Sequence, residues 1–467
     1  MKNAKWRLIF CKNNSIIMYN NCVEVILLKR TITDNLLKWK DNKKRKPLIL
    51  TGVRQCGKTY IIQEFGKTFF DSVAYFNFEK NPELNSIFEY NYDVERILSE
   101  LENIFLKNKI IVGSTLVILD EIQMCPKAIT SLKYFCENKR ELHIIAAGSL
   151  LGVALKSDEI AFPVGKVDRL KMYPMSFREF VIADGGEKYL DGIEKYDIYD
   201  ALPEAYTMQM EKYLKLYYII GGMPEVVQTW IDTHDLSLID ELQDSILQDY
   251  SGDFSKHAPI NQIPKLNMIW DSIPKQLAKD NNKFVFSHVK EGARSKELED
   301  ALEWLVDAGL IYRLECVEKP ELPLSAFADA TYFKVYMADI GLLRRKANVY
   351  YRTILDGSEG YIRFKGALAE NYVLSELNIL NLPSWFWRSG NSAELDFITE
   401  YQGEMYPIEV KSADNTRAKS LQQFISRYTT KKAFKCSLKN VGINENDKAD
   451  LISLPLYLLY KLKDYMC

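Results

Sequence analysis

The chain has 467 residues, more than one ordinary hydrophobic core accommodates and enough for about three domains. With 47% hydrophobic and 27% charged residues and a formal net charge of −2, it reads as a globular protein without overall attraction for nucleic acid or an anionic membrane surface. No apolar run reaches the roughly 18 residues of a membrane span, and eight scattered cysteines without a C-x-x-C pair, with four dispersed histidines, argue against a disulfide framework and a zinc site and for a reducing cytoplasm.

The N-terminal segment alternates apolar patches with Lys12, Asn13, Asn14, Asn20 and Asn21, and it does not read as a signal peptide. Residues 1–24 read as a disordered extension with Met18 as the true initiator. Structure is expected to begin at Val23–Arg30 and to lead into a helix over Asp34–Trp39. Lys38, Lys40, Lys43, Lys44, Arg45 and Lys46 then form a basic connection that reads as a solvated loop.

The first chemistry follows at once. Gly52, Val53, Arg54, Gln55, Cys56, Gly57, Lys58 and Thr59 match G-x-x-x-x-G-K-[ST] at every fixed position, after a strand-like run over Pro47–Thr51 and before an amphipathic helix over Lys58–Phe65. The glycines let successive N–H groups face phosphates at a helix N-terminus, Lys58 suits the β and γ phosphates, and Thr59 suits Mg²⁺. Strands are expected at Val73–Phe78, Thr115–Leu119, His143–Ala147 and Val167–Met172, with a helix at Val94–Leu106. Apolar strands alternating with helices imply a parallel sheet covered on both faces. The Thr115–Leu119 strand delivers Asp120 and Glu121 to the carboxyl edge, Asp120 to hold Mg²⁺ and Glu121 to orient and deprotonate the attacking water. Ser149, after Gly148, suits contact with that water or the γ-phosphate, and equally suits a helix cap.

The ordered set GVRQCGKT, LVILDE, IIAAGS and YPMSFREF resembles the AAA-type ATPase domain of a large family of prokaryotic ATPases with a nuclease-like domain near the C-terminus, and Tyr217–Glu225 is similar to another marker of that family. The resemblance covers roughly residues 25–430. It implies an AAA-type P-loop sheet with Ser149 as the polar sensor, and a helical lid packing against nucleotide over residues 181–257. One departure is Gly165-Lys166, where family members often read Gly-Arg. Lys166, Arg169, Arg178 and Arg54 remain as cations expected near the site.

Residues 258–345 look like a winged helix, with helices at Ile263–Ala278 and Ser295–Asp307 and strands at Phe284–Phe286 and Leu310–Leu314. The second helix carries Glu297, Glu299, Asp300, Glu303 and Asp307 against Lys296 alone, so phosphates would be repelled and protein docking or a structural role is expected instead of DNA reading. Residues 346–467 follow as an α/β domain. A helix at Phe364–Ile379 carries Glu370, a strand at Glu394–Thr399 carries Asp396, and a strand at Tyr406–Val410 ends in Glu409-Val410-Lys411. Period-two alternation puts Glu409 and Lys411 on one face. This order resembles the PD-(D/E)xK nuclease core, which implies a second divalent metal, with Gln422 or Gln423 as backbone contacts. Residues 361–427 carry seven Lys or Arg against eight Asp or Glu, so no basic cradle for DNA is visible. A last strand is expected over Ala449–Leu462.

The expectation is an α/β chain, with an AAA-type P-loop domain at 25–180, lid, winged helix and PD-(D/E)xK-like domain, that binds and hydrolyses ATP with Mg²⁺. Nucleotide state would control a nuclease-like module acting on DNA. The alternative is a nucleotide-controlled switch whose nuclease-like domain is inactive and whose partner is a protein. No membrane partner is expected, and oligomers are compatible with either reading.

Overall fold

A computed structural model describes residues 28–466 except 107–108, 156–161, 280–282, 358–361, 391–392, 413–417 and 446. Met18, the extension at 1–24 and most of Val23–Arg30 lie outside the described residues. The expected first helix is present at Ile32–Asp41.

Five parallel strands form the first sheet: β1 (Leu48–Gly52), β2 (Ser72–Asn77), β3 (Thr115–Asp120), β4 (His143–Ala147) and β5 (Asp168–Met172), in the order β2-β3-β4-β1-β5. Side-chain alternation divides their apolar residues between two cores. Leu48, Leu50, Leu116, Ile118, Ile145 and Ala147 face one cluster with Ile62 and Phe65 of the helix Lys58–Phe69. Ile49, Val117, Leu119, Ile144 and Ala146 face the other, with residues of the helices Val94–Phe105 and Pro126–Asn138. Burial on both faces is why β1, β3 and β4 read as continuous apolar runs, and it leaves their carboxyl ends as the polar edge.

Helices then run from Phe177 to His257, the longest being Glu204–Ile220 and Leu236–His257. The first of these stops at Gly221, whose φ is +77°. Gly222 beside it must lack a side chain, because a Cβ there would lie 2.1 Å from the Met175 carbonyl oxygen.

Helices Ile263–Leu277 and Ser295–Asp307 precede β6 (Ile311–Val317) and β7 (Ala328–Met337). The strand expected at Phe284–Phe286 is corrected: Lys283 makes one bridge to Lys334, Phe284 N–H bonds to Phe333 O at 2.9 Å, and Phe286–Val289 is a helical turn. Phe284 and Phe286 pack on the Phe333 ring, 5.5 and 6.1 Å between centroids, so ring packing replaces a ladder. The acidic helix is partly neutralised from within, since Glu299 and Glu303 both hold Arg313 of β6, at 2.6 and 2.5 Å.

The C-terminal strands are β8 (Ser384–Ser389), β9 (Ala393–Tyr401), β10 (Glu404–Val410), β11 (Lys432–Ser437), β12 (Gly442–Asn444) and β13 (Asp450–Pro455). They join β6 and β7 in one mixed eight-stranded sheet, β12-β13-β11-β10-β9-β8-β6-β7. The seam is the parallel pairing of Cys316 with Phe386 and Val317 with Trp387, so the division drawn at 345/346 falls between segments of a single sheet. The strand expected over Ala449–Leu462 is also corrected: after β13 the chain turns into a 3₁₀ helix over Leu456–Lys461 and a helix over Leu462–Met466. Pro455 offers the ladder no N–H and ends the strand there. Among the described residues no helix is long and apolar enough to cross a membrane.

Candidate functional site

The phosphate loop leaves β1 and enters the helix Lys58–Phe69 through Gly57, at φ +90°. Gln55 is also left-handed, at φ +63°. Lys58 is buried, and its ammonium donates to Gly52 O at 2.8 Å and Val53 O at 2.9 Å, so the cation already lies curled inside the loop. Arg30 ties the loop to the sheet edge by donating to Cys56 O at 3.1 Å and Tyr173 O at 2.6 Å. About one turn of the helix Leu236–His257 covers the loop from outside. Asp249 accepts from Gln55 at 3.0 Å, Tyr250 O–H donates to Arg54 O at 3.0 Å, and Asp253 pairs with the Arg54 guanidinium.

Across the carboxyl edge, Thr59 Oγ1 donates to Asp120 Oδ2 at 3.0 Å, and Tyr75 O–H donates to the same oxygen at 2.7 Å. Burial and this bond push the Tyr75 phenol up to about 12, so it stays a donor. Glu121 sits at φ +50°, a strained conformation for a residue with a side chain. Its carboxylate accepts from Gln123 Nε2 at 2.6 Å and Ser149 Oγ at 3.0 Å. Ser149 does not cap the following helix, Leu151–Ala154, whose N-cap is Leu150. Thr59, Asp120, Glu121 and Ser149 thus meet at the ends of β1, β3 and β4, beside Lys58. The adjoining Thr59 hydroxyl and Asp120 carboxylate are hard oxygen donors that fit Mg²⁺.

Three of the expected cations are placed elsewhere. Lys166 pairs with Glu137 at 2.8 Å, Arg169 lies over Phe162 at 4.3 Å, and Arg178 lies over Tyr460 at 5.9 Å. Each is held by a partner that strand spacing does not reveal. Only Arg54 stays at the loop. Residues that sequence reasoning missed are Arg30, Tyr75, Gln123, Asp249 and Asp253. Gln123, two positions after Glu121, was the one in reach of a motif.

A second polar cluster lies in the eight-stranded sheet, where the structure brings Glu370, Asp396, Glu409 and Lys411 together. Asp396 Oδ2 accepts from Val410 N–H at 2.7 Å, Glu409 Oε1 faces Lys411 Nζ at 2.5 Å, and Glu409 Oε2 accepts from Leu421 N–H at 2.9 Å. Burial, then the neighbouring Glu370, holds the Asp396 carboxyl well above the usual carboxylate range, against the opposing pull of Lys334. Lys334 was not anticipated: it reaches the cluster from β7, with Tyr336 O–H donating to Glu370 at 2.7 Å beside it. Gln422 and Gln423 lie on the helix Lys419–Arg427, Gln422 exposed. Among the described residues no group of three His, Cys, Asp or Glu side chains is arranged to hold a metal ion, so the second divalent metal finds no ready ligand set.

Residues 44–181 match the family described as an AAA domain. Residues 211–351 and 365–457 match two families described as domains of unknown function, DUF8612 and DUF4143. The uncharacterized proteins Rv2008c of Mycobacterium tuberculosis and Mb2031c of Mycobacterium bovis are each 35% identical over 80 residues. That match spans 17% of this chain and 17% of the length of each relative. Among solved structures, the Walker-type ATPase PABY2304 of Pyrococcus abyssi is 15% identical, with a TM-score of 0.42 over 68% of this chain and 96% of that one. Residues 44–181 are an AAA-type P-loop domain, by family match and by the loop, sheet and carboxylate arrangement together.

Proposed function

We propose that the chain is a Mg²⁺-dependent, cytoplasmic ATPase whose nucleotide state controls its C-terminal module. The observation that carries this reading is the Thr59–Asp120 contact of 3.0 Å with Glu121 next in sequence, at the end of a complete phosphate loop. Gly52–Thr59 would bind the phosphates through backbone N–H groups, with Lys58 turning outward from its carbonyl partners. Thr59 and Asp120 would hold Mg²⁺, which when bound neutralises charge on the β and γ phosphates. Glu121 would take the proton of the attacking water, with Ser149 and Gln123 fixing its orientation. Five described cysteines are free and buried, in keeping with a reducing compartment. Binding of a fluorescent ATP analogue and phosphate release, measured with and without Mg²⁺, test the reading, and a chain that neither binds nor hydrolyses ATP refutes it.

For the C-terminal module we infer a PD-(D/E)xK-like arrangement. Support comes from the order of the Glu370 helix, β9 with Asp396 and β10 with Glu409 before Lys411, then a helix and the parallel strand β11. Of the two outputs, strand cleavage and a nucleotide-controlled interaction with a protein, the occupied oxygens of Glu409 favour the second. A nuclease assay with Mg²⁺ or Mn²⁺, with and without ATP, separates them.

A further inference from the structure

Beside Lys411, the C-terminal cluster holds a second cation, which comes from outside the E-x-K region. Lys334 lies on β7, which the β6–β8 pairing brings into the same sheet. It is 1% exposed, and its ammonium lies 2.7 Å from Glu394 Oε1 and 3.7 Å from Glu370 Oε2, with the Phe386 ring 5.0 Å away. Burial by itself would lower this ammonium, but Glu370, Glu394 and Asp396 together raise it, so it is charged. On the other side of the cluster Lys411 and the Leu421 N–H take both oxygens of Glu409. A divalent cation needs several oxygens free to approach within about 2.0–2.6 Å. Here the acids point at ammonium, amide and phenol donors, and a buried positive charge lies among them.

We propose that Lys334 is the resident cation of this carboxylate cluster, in the place of a divalent metal, so that the cluster takes neither Mg²⁺ nor Mn²⁺ and the module works without metal-assisted phosphodiester cleavage. The same carboxylates would become a metal site once the lysine is gone. An aliphatic side chain at 334 withdraws the charge while Glu370, Glu394 and Asp396 remain. The inference rests on the nuclease-like reading of the module and is independent of the ATPase reading.

The test is a Mn²⁺ titration of the full-length, nucleotide-free chain by calorimetry, comparing wild type, Asp396→Asn, Lys334→Met and Lys334→Met/Asp396→Asn. All four share the Thr59–Asp120 site, so only binding that depends on Asp396 counts. Wild type and Asp396→Asn are expected to be indistinguishable. Lys334→Met is expected to gain a Mn²⁺ site at least about tenfold tighter than any Asp396-dependent binding in wild type, and the double variant to lose it. Mn²⁺ binding in wild type that weakens tenfold on Asp396→Asn overturns the proposal and leaves the nuclease-like reading standing. A folded Lys334→Met without a new site overturns both. If circular dichroism shows Lys334→Met unfolded, the comparison of wild type with Asp396→Asn decides alone.

Discussion

Glu376 sits at the joint between the P-loop domain and the C-terminal module, and its ionisation makes a quantitative prediction. It lies on the helix Ile362–Ile379, is 1% exposed, and accepts from Phe177 N–H at 2.9 Å. Burial, opposed by that bond and aided by Glu179, pushes its carboxyl up to about 7 from an ordinary 4.5. An acid raised on folding favours the protonated folded state, so its contribution is fully present below about 4.5 and is lost as pH rises through about 7. At 1.36 kcal/mol per pH unit, the charged form costs wild type about 3 kcal/mol above that window. Glu376→Gln keeps an acceptor for Phe177 N–H and has no proton to lose. Its stability relative to wild type should be near zero at about pH 4.5 and should rise to about 3 kcal/mol at pH 8. Thermal or urea midpoints of the two chains in paired buffers measure the difference, in which the other titrating groups cancel. A difference that stays constant across the window would refute the assignment of this carboxyl as buried and uncompensated.

Lys58→Ala should weaken ATP binding at least about tenfold, whereas Glu121→Gln should retain binding and lose turnover, and equal loss of binding in both would remove the separate roles. Changing Glu299 and Glu303 to Ala leaves Arg313, 13% exposed, without its carboxylates, so the melting temperature should fall by the equivalent of about 1–3 kcal/mol. DNA affinity should not fall in that double variant, and a gel-shift titration showing a marked loss would contradict the charge argument. Gly222→Ala forces a Cβ to 2.1 Å from a backbone oxygen, so the variant should lose about 1–3 kcal/mol or more, and a normal melting curve would show that the junction can open.

The P-loop sheet was legible because its signals are local. The central strands β1, β3 and β4 are apolar on both faces, and the phosphate loop and Asp120-Glu121 sit at the ends of two of them, so pattern and motif agree there. The cations failed for the opposite reason. Lys166, Arg169 and Arg178 read as candidates by nearness in sequence, but Glu137, Phe162 and Tyr460 hold them by tertiary contact. Glu370, Asp396 and the E-x-K stretch were visible as an ordered set of elements. Lys334 was not, because it lies on β7, a strand outside that ordered set and distant from it in sequence. Only the two-residue seam between β6 and β8 sets it among the acids. The acidic helix Ser295–Asp307 carries less free charge than its composition reads, since Glu299 and Glu303 answer Arg313 on the neighbouring β6.

Contacts alone do not connect two sites; an element that both sites hold is needed, and it must be stiff enough to move as one piece. The helix Leu236–His257 meets that requirement. Its 22 residues span about 33 Å at 1.5 Å per residue. Near its C-terminal end, Asp249, Tyr250 and Asp253 grip the phosphate loop. Nearer its N-terminal end, Asp240 and Gln243 hold the buried Arg344, and Asp244 pairs with Arg345. Those arginines belong to the helix Ile340–Lys346, which follows β7 and therefore lies in direct sequence from Lys334. Phosphates entering the loop would bring negative charge toward Asp249 and Asp253 and compete with Asp253 for Arg54. Under the proposed coupling, repulsion at that end would shift the helix as one piece and be felt at the other, where Arg344 and Arg345 are attached to it.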